Sequence, residues 1–335
     1  MKYCPVNAWY VACWSADLAK GQALGRKFLD QDVALFRAEN GSVNALHDRC
    51  PHRFAPLSAG VVRNGILQCP YHGLEFDGSG ACTHNPYGPV LRSAAVRSYP
   101  IAERHRAIWI WMGDAEAADE NLIPDLSVLA EAPDSAFSSG YLHTQCNFEI
   151  VIDNILDLTH TDYLHANSIA GTGMTTSSKP VTRETKDGLR VEWLASGIPL
   201  SPFHARLYPD IERADQVVRM DWYAPAAIRL DAIFMPAGQP EEKGFANLNL
   251  HLMTPETKTT THYFFAATRT YQLEDEALNR SVAEARYKVF STEDKPILNL
   301  VQERMGDADF WDLKPLLLGV DEAAVRARRW IAKMP

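Results

Sequence analysis

The sequence predicts an α+β protein: an all-β N-terminal domain, then a larger domain that joins an antiparallel sheet to helices. Three observations carry this. Short aromatic and β-branched runs alternate with Gly, Asn and Asp turns from residue 7 to residue 111. Five further β-like runs lie between 190 and 270, separated by Pro and Gly clusters. Helical patterns bracket that second set, one near 149–166 and others from Asp275 onward. A chain of 335 residues has room for two domains with cores of their own.

The first domain opens with Asn7–Trp14, followed by strand-like runs at 25–29, 33–37 and, after the turn signal Glu39-Asn40-Gly41, at 43–47. Inside this alternation stands Cys50-Pro51-His52, then sixteen residues, then Cys69-Pro70-Tyr71-His72. Each loop supplies one thiolate and one imidazole, and Pro51 and Pro70 stiffen both loops. Asn64-Gly65 reads as a tight turn between them. Two Cys on one iron and two His on the other is the Rieske [2Fe–2S] ligand pattern. Cys2His2 is also a zinc ligand set, but zinc fingers pair Cys with Cys and His with His. The spacing therefore favours a cluster held by Cys50, His52, Cys69 and His72.

The domain is expected to span 1–113. Residues 114–138 begin with an Ala, Asp and Glu-rich stretch and read as a linker, and 139–335 as the second domain. There a strand over 141–148 leads into a helix over about 149–166. Its apolar side is Ile150, Ile155, Leu156 and Leu164. Asp157 and His160 are three apart and share a face. His165 is five beyond His160, so the two histidines align only if a π-type turn interrupts the helix. Asn154 lies on the Asp157 side and is a further site candidate. Residues 170–190 read as a flexible loop. Strands are expected at 189–194, 217–223, 228–234, 246–253 and 260–268, then helices at 275–291, about 296–303 and 321–331. Phe203, Ile233, Phe234, Met235, Phe264 and Phe265 offer apolar wall for a ligand. His251 interrupts the apolar alternation of Leu248, Leu250 and Leu252; it either contacts a substrate or faces solvent. His47, His84, His105, His143, His204 and His262 show no partner pattern.

The net charge of −9 and pI of about 5.7 argue against nucleic acid or an anionic membrane as the main partner. Cys4, Cys13, Cys82 and Cys146 lack framework-like spacing and read as thiols in a reducing compartment. The N-terminus lacks an apolar signal core, and no stretch approaches the ~20 apolar residues that span a bilayer. A soluble cytoplasmic protein is expected.

The cluster motif followed by Asp157, His160 and His165 resembles the oxygenase component of Rieske non-haem iron oxygenases, over nearly the whole chain. Cys50–Ser58, Gln68–Asp77, Val151–His160 and Asp321–Val325 are similar to the vanillate O-demethylase and dicamba monooxygenase branch. The resemblance implies a helix-grip catalytic domain and a mononuclear Fe(II) held by His160, His165 and a carboxylate from a later helix. Glu274, Asp275, Glu276, Glu284, Glu293 and Asp294 are candidates by position. The context Thr292-Glu293-Asp294-Lys295 resembles the branch motif, with Asp294 as its aspartate and Glu293 as the fallback. The resemblance further implies that Asp157 bridges His160 to a cluster histidine of a neighbouring subunit, and hence a homotrimer. The segment Ala283–Tyr287 lacks the tryptophan expected of a dicamba-type pocket.

The chain has no G-x-G-x-x-G after a strand, so NAD(P)H must be oxidised by a separate reductase, with or without a ferredoxin. The implied reaction uses O2 to oxidise a small aromatic compound. O-demethylation of a methoxylated aromatic acid is the leading reading: a hydroxylated methoxy carbon collapses to a phenol and formaldehyde. N-demethylation and ring hydroxylation are alternatives at the same site. A non-enzymatic Rieske electron carrier is a further alternative, but leaves His160, His165 and the last two hundred or so residues unexplained.

Overall fold

The computed structural model describes residues 3–166, 168 and 174–335. Two compact units divide the chain. One takes residues up to Asp125 together with Thr254–Lys258; the other takes Leu126–Met253 and Thr259–Met334.

The first unit is all β. Strands β1 (Trp9–Trp14), β9 (Ile101–Arg104) and β10 (Ala107–Trp111) form one sheet in the order β1-β10-β9, and β2 (Ala23–Phe28), β3 (Gln31–Arg37) and β4 (Val43–His47) form a second. A third, four-stranded meander follows: β5 (Val61–Arg63), β6 (Ile66–Gln68), β7 (Glu75–Phe76) and β8 (Cys82–His84). The β5–β6 hairpin turns on Asn64 (φ 52°) and Gly65 (φ 76°), the left-handed pair that matches strand twist. Glu39 accepts from both turn amides, at 2.8 and 2.7 Å. Ala34, Phe36, Leu46, Leu57, Val62, Leu67 and Phe76 pack with Cys50 and Cys69 into one apolar core, so both thiols are rooted in the domain interior. No disulfide links the described cysteines, and Cys4, Cys13 and Cys146 are buried.

In the second unit α1 (Ser127–Ala130) precedes strand β11 (Ser138–Thr144). The sheet is completed by β12 (Val181–Glu184), β13 (Gly188–Ile198), β14 (Ala214–Tyr223), β15 (Ala227–Pro236), β16 (Phe245–Thr257) and β17 (Thr260–Arg269). The seven strands run in the order β11-β17-β16-β15-β14-β13-β12. The five strands expected over 189–268 each lie within one of these, whereas the strand expected at 141–148 ends at Thr144 and Phe148 already opens α2. The expected loop at 170–190 instead carries helix α4 (Met174–Ser177) and β12; its residues 170–173 lie outside the described residues.

The expected helix over 149–166 is not continuous. Helix α2 (Phe148–Leu156) stops at Asp157, which is extended (φ −112°, ψ 98°). A 3₁₀ turn over Leu158–His160 and then α3 (Thr161–Leu164) follow. The break has a local cause. The Asp157 carboxylate accepts from the Thr159 amide (2.8 Å) and hydroxyl (2.6 Å), capping the next turn in place of continuing the first. The π-type turn lies elsewhere: after α5 (Pro202–Leu207) and α6 (Glu276–Val289), the backbone widens over Phe290–Asp294 before α7 (Lys295–Met305). The last helix, α8 (Glu322–Ile331), clamps α2. Arg328 donates to Asp153 (2.6 and 2.9 Å) and to Glu149 (2.6 Å) with Phe310 beneath its guanidinium. Burial pushes the Glu149 carboxyl up to about 7 despite that partner.

Candidate active site

The two cysteine loops of the first unit are built alike. The Cys50 amide donates to Ala55 O and the Phe54 amide to Cys50 O, both at 2.9 Å. The Cys69 amide donates to Leu74 O (2.8 Å) and the Gly73 amide to Cys69 O (3.1 Å). The fifth residue of each loop is left-handed, Phe54 at φ 62° and Gly73 at φ 75°. Glycine takes that conformation freely; phenylalanine does so at a cost of roughly 1–2 kcal/mol. Cys50 and Cys69 are 2% exposed, whereas His52 is exposed and His72 half-buried, with ring centroids 4.4 Å apart. Burial and the neighbouring Cys69 thiol raise the Cys50 pKa. Two inner thiols and two outer imidazoles on matched loops suit a [2Fe–2S] cluster with its histidine-bound iron outward.

In the second unit His160, His165 and Asp294 converge. Their ligand atoms all lie within 4.8 Å of one another. Asp294 Oδ1 is 3.2 Å from His165 Nε2 and 3.6 Å from His160 Nε2. The other ring nitrogens are held from behind. His160 Nδ1 donates to the Asp157 carbonyl (2.5 Å), so the backbone of Asp157, not its carboxylate, orients this imidazole. His165 Nδ1 donates to Glu293 Oε2 (2.7 Å), which also accepts from Ser168 Oγ (2.8 Å). Both bonds fix the tautomer that turns an Nε2 lone pair inward. Burial lowers the His160 pKa; at His165 burial acts the same way but the Asp294 and Glu293 carboxylates outweigh it and raise the pKa. Glu293 and Asp294 are consecutive yet reach opposite nitrogens of one ring from the π turn, so both sequence candidates serve this centre in different positions. Two imidazoles and one carboxylate with open space beside them suit a non-haem Fe(II). Asn154 Nδ2 donates to Asp294 Oδ1 (3.3 Å), on the α2 side of the centre.

The centre lines a cavity of about 290 Å³. Phe203 and Phe234 face it as expected. Ile233 and Met235 do not: strand alternation sends them to the opposite face of β15, against Val217 and Ala246. Phe264 packs on Tyr141, and Phe265 lies edge-on to Phe290 in the π turn at 5.0 Å. A Cβ at Gly140 would meet the Phe265 ring at 2.3 Å, so glycine there admits that packing. His251 lines the cavity, 3% exposed, with Nδ1 at 2.6 Å from the Tyr263 hydroxyl; the solvent-facing alternative does not hold. Burial and the Arg286 charge push its pKa down to about 3.

His204 also lines the cavity, contrary to its reading as an ordinary histidine. Its Nδ1 meets Ser201 Oγ, and Asn247 Nδ2 donates to its Nε2, both at 2.8 Å. Burial lowers its pKa to about 4. Ser201-Pro202, an N-cap followed by proline, was the available sign of a helix start here. Asn247 comes from β16 and left no sign in the sequence.

Comparison with known proteins finds two domain families in the chain. Residues 8–100 match the Rieske [2Fe-2S] domain and residues 144–335 the vanillate O-demethylase oxygenase C-terminal domain. The chain is 36% identical over 330 residues to the dicamba O-demethylase oxygenase component of Stenotrophomonas maltophilia, covering 98% of this chain and 97% of that protein. It is also 36% identical over 326 residues to the chloroacetanilide N-alkylformylase oxygenase component of Rhizorhabdus wittichii, covering 96% and 93%. A crystal structure of dicamba monooxygenase bound to dicamba superposes with a TM-score of 0.91 at 36% identity, over 98% of this chain and 96% of that one. Another is described with non-haem iron and dicamba, at TM-score 0.84 and 34% identity, over 98% and 96%. Among the described residues no helix is long and apolar enough to cross a membrane. With a Rieske domain at its head and the vanillate O-demethylase type of catalytic domain behind it, this chain belongs to the oxygenase components of the Rieske non-haem iron oxygenases.

Proposed function

We propose that the chain is the terminal component of a monooxygenase that removes the methyl group of a methoxylated aromatic acid as formaldehyde, drawing electrons from a separate NAD(P)H-dependent reductase. Cys50, His52, Cys69 and His72 hold the [2Fe–2S] cluster; His160, His165 and Asp294 hold the mononuclear iron. The observation that carries the reading is the opening of the His160–His165–Asp294 centre onto a largely apolar cavity. Its volume of about 290 Å³ suits one substituted ring, since an apolar cavity of roughly 150 Å³ takes benzene.

The bound metals supply one-electron transfer and activation of O2. The chain's own residues do the rest. Glu293 and the Asp157 carbonyl hold the two imidazoles in one tautomer each. Phe203, Leu230, Phe234, Val289 and Phe290 keep bulk water off the ring. His251 stays neutral, and among the described residues its ring makes no hydrogen bond other than that of Nδ1 with Tyr263. A substrate polar group can therefore meet Nε2.

Asp157 uses Oδ1 for Thr159, and Oδ2 has no partner among the described residues. The groove it lines is edged by exposed apolar groups, Tyr163 (85%) and Ile297 (41%). Beside the cluster loops Phe54 (67%) and Tyr71 (61%) are exposed as well. These two surfaces support a homotrimer in which Asp157 faces a cluster histidine of the next subunit.

The test is a panel of methoxybenzoates incubated with the reconstituted enzyme, a reductase and NADH. Stoichiometric formaldehyde and phenol are expected. Ring-hydroxylated products without formaldehyde would refute demethylation, and a monomer in sedimentation velocity would refute the trimer.

A further inference from the structure

Among the described residues Arg286 is the one arginine lining the cavity that opens on His160, His165 and Asp294. It stands on α6 among Val282, Ala285, Val289 and Phe290, an otherwise apolar stripe that shares the lining. Several arginines elsewhere in this unit have acids, and buried Arg269 is instead saturated by five neutral oxygens, of Tyr271, Asn279, Ser135, Gln272 and Asp275. Arg229 meets Asp231 at 2.8 Å, Arg219 meets Glu192 at 3.1 Å, and Arg328 meets Asp153 and Glu149 at 2.6 Å each. Among the described residues Arg286 has only Ser138 Oγ, a neutral acceptor, at 3.0 Å. No carboxylate among the described residues comes within ion-pair distance of it. The two acids that line the cavity among the described residues are engaged: Asp294 with the histidines and Asp162 with the Thr175 hydroxyl.

A guanidinium offers five N–H donors in a planar fork suited to a carboxylate, and one here is used within the chain. Arg286 is half-buried, and holding such a cation partly out of water without a counter-charge is costly. Loss of water pulls its pKa down to about 10. The cost is recovered when an anion enters the cavity. We propose that Arg286 is the specificity-determining residue of the cavity, pairing with a single carboxylate or equivalent anionic group on the substrate ring. That group sits at the α6 side, leaving the apolar remainder for the ring. Arg286 then selects aromatic acids over the neutral aromatics that the same walls would accept. The inference rests on the proposed cavity as the substrate site, but not on which bond is cleaved there.

The experiment reads binding without turnover. Oxidised holoenzyme with both metals loaded is titrated calorimetrically, in the absence of reductase, with methoxybenzoate isomers and with the matching methoxybenzamides. The wild type is expected to bind at least one acid roughly ten- to a hundredfold more tightly than its amide, as a charge-assisted hydrogen-bonded pair would give. Arg286→Gln should erase the preference while binding the amide unchanged, and Arg286→Lys should keep part of it. Equal affinity of the wild type for acid and amide overturns the proposal, as does a preference that survives in Arg286→Gln. If the glutamine variant does not fold, a lysine variant with the full wild-type preference for the acid supports a charge role without the fork, and one with none overturns it. Formaldehyde release is scored separately: an acid preference without formaldehyde leaves Arg286 standing and removes the demethylation.

Discussion

Replacing Glu293 by alanine isolates what one carboxylate behind a ligand contributes. Glu293 Oε2 accepts from His165 Nδ1 at 2.7 Å and from Ser168 Oγ at 2.8 Å, on the side of the ring away from Asp294. The alanine variant leaves the buried Nδ1–H, on a residue 2% exposed, without its acceptor and frees the ring to turn. A hydrogen bond to a charged group is worth roughly 1.5–3 kcal/mol, and 1.4 kcal/mol is tenfold in an equilibrium. Iron affinity is therefore expected to fall about 10- to 100-fold, the range found for partners behind metal-bound histidines. Glu293→Gln keeps an acceptor oxygen and should lose less. The assay is competition for Fe(II) by a coloured chelator, with the visible spectrum of the cluster as an internal control. Asp294→Ala should abolish tight iron binding. The reasoning fails if Glu293→Ala retains the wild-type chelator midpoint. It also fails if Glu293→Ala loses iron completely while Asp294→Ala keeps it, which would make Glu293 the ligand.

Three further outcomes are expected. His160→Ala should keep the cluster spectrum while iron falls from about three to about two per chain and turnover vanishes; normal turnover would remove His160 from the centre. His204, 8% exposed, has a folded pKa near 4 against 6.5 for the free side chain, so the unfolded chain binds its proton first as pH falls. Stability is full above pH 6.5 and declines through that window by roughly 3 kcal/mol, and thermal melts of His204→Asn should flatten this acid limb rather than run parallel to wild type. Arg328→Met strands Asp153 and Glu149 and should cost about 3–5 kcal/mol, seen as a lowered melting temperature that Asp153→Asn partly restores; an unchanged melt would show the clamp to be energetically idle.

What could be read from the sequence follows the distance over which each feature is determined. Cys50-Pro-His and Cys69-Pro-Tyr-His each fall within four residues, and Asn64-Gly65 states its own turn, so the cluster loops and their hairpin were legible directly. The strands of the large sheet were legible because their pattern is period two over many residues. Asp157 was legible as a site residue but not as a helix break, because an aspartate caps or continues a helix according to what its oxygens find nearby. Asp294 lies 129 residues beyond His165 and emerged only through resemblance. The division of labour between Glu293 and Asp294 depends on a backbone widening that neither residue type announces. The sequence trace of Arg286 is a lone charge among Val282, Ala285, Val289 and Phe290, a spacing whose meaning depends on the cavity it faces.

The strand order of the catalytic unit bears on how the protein is made. Strand β11 is the first of the sheet to leave the ribosome, yet its partner is β17, the last, with Ser138 opposite Ala267. In the first unit both cysteine loops and the hairpin between them are complete once residue 76 has been synthesised. Synthesis runs from N- to C-terminus, and closing long-range pairings slows folding. The cluster cradle therefore has its parts early, whereas the ligand set for the mononuclear iron is incomplete until Asp294 emerges, 129 residues after His165. The nascent catalytic half spends most of its synthesis with an unpaired β11 edge, which marks that strand as the place where premature termination or slow translation would expose the chain to aggregation.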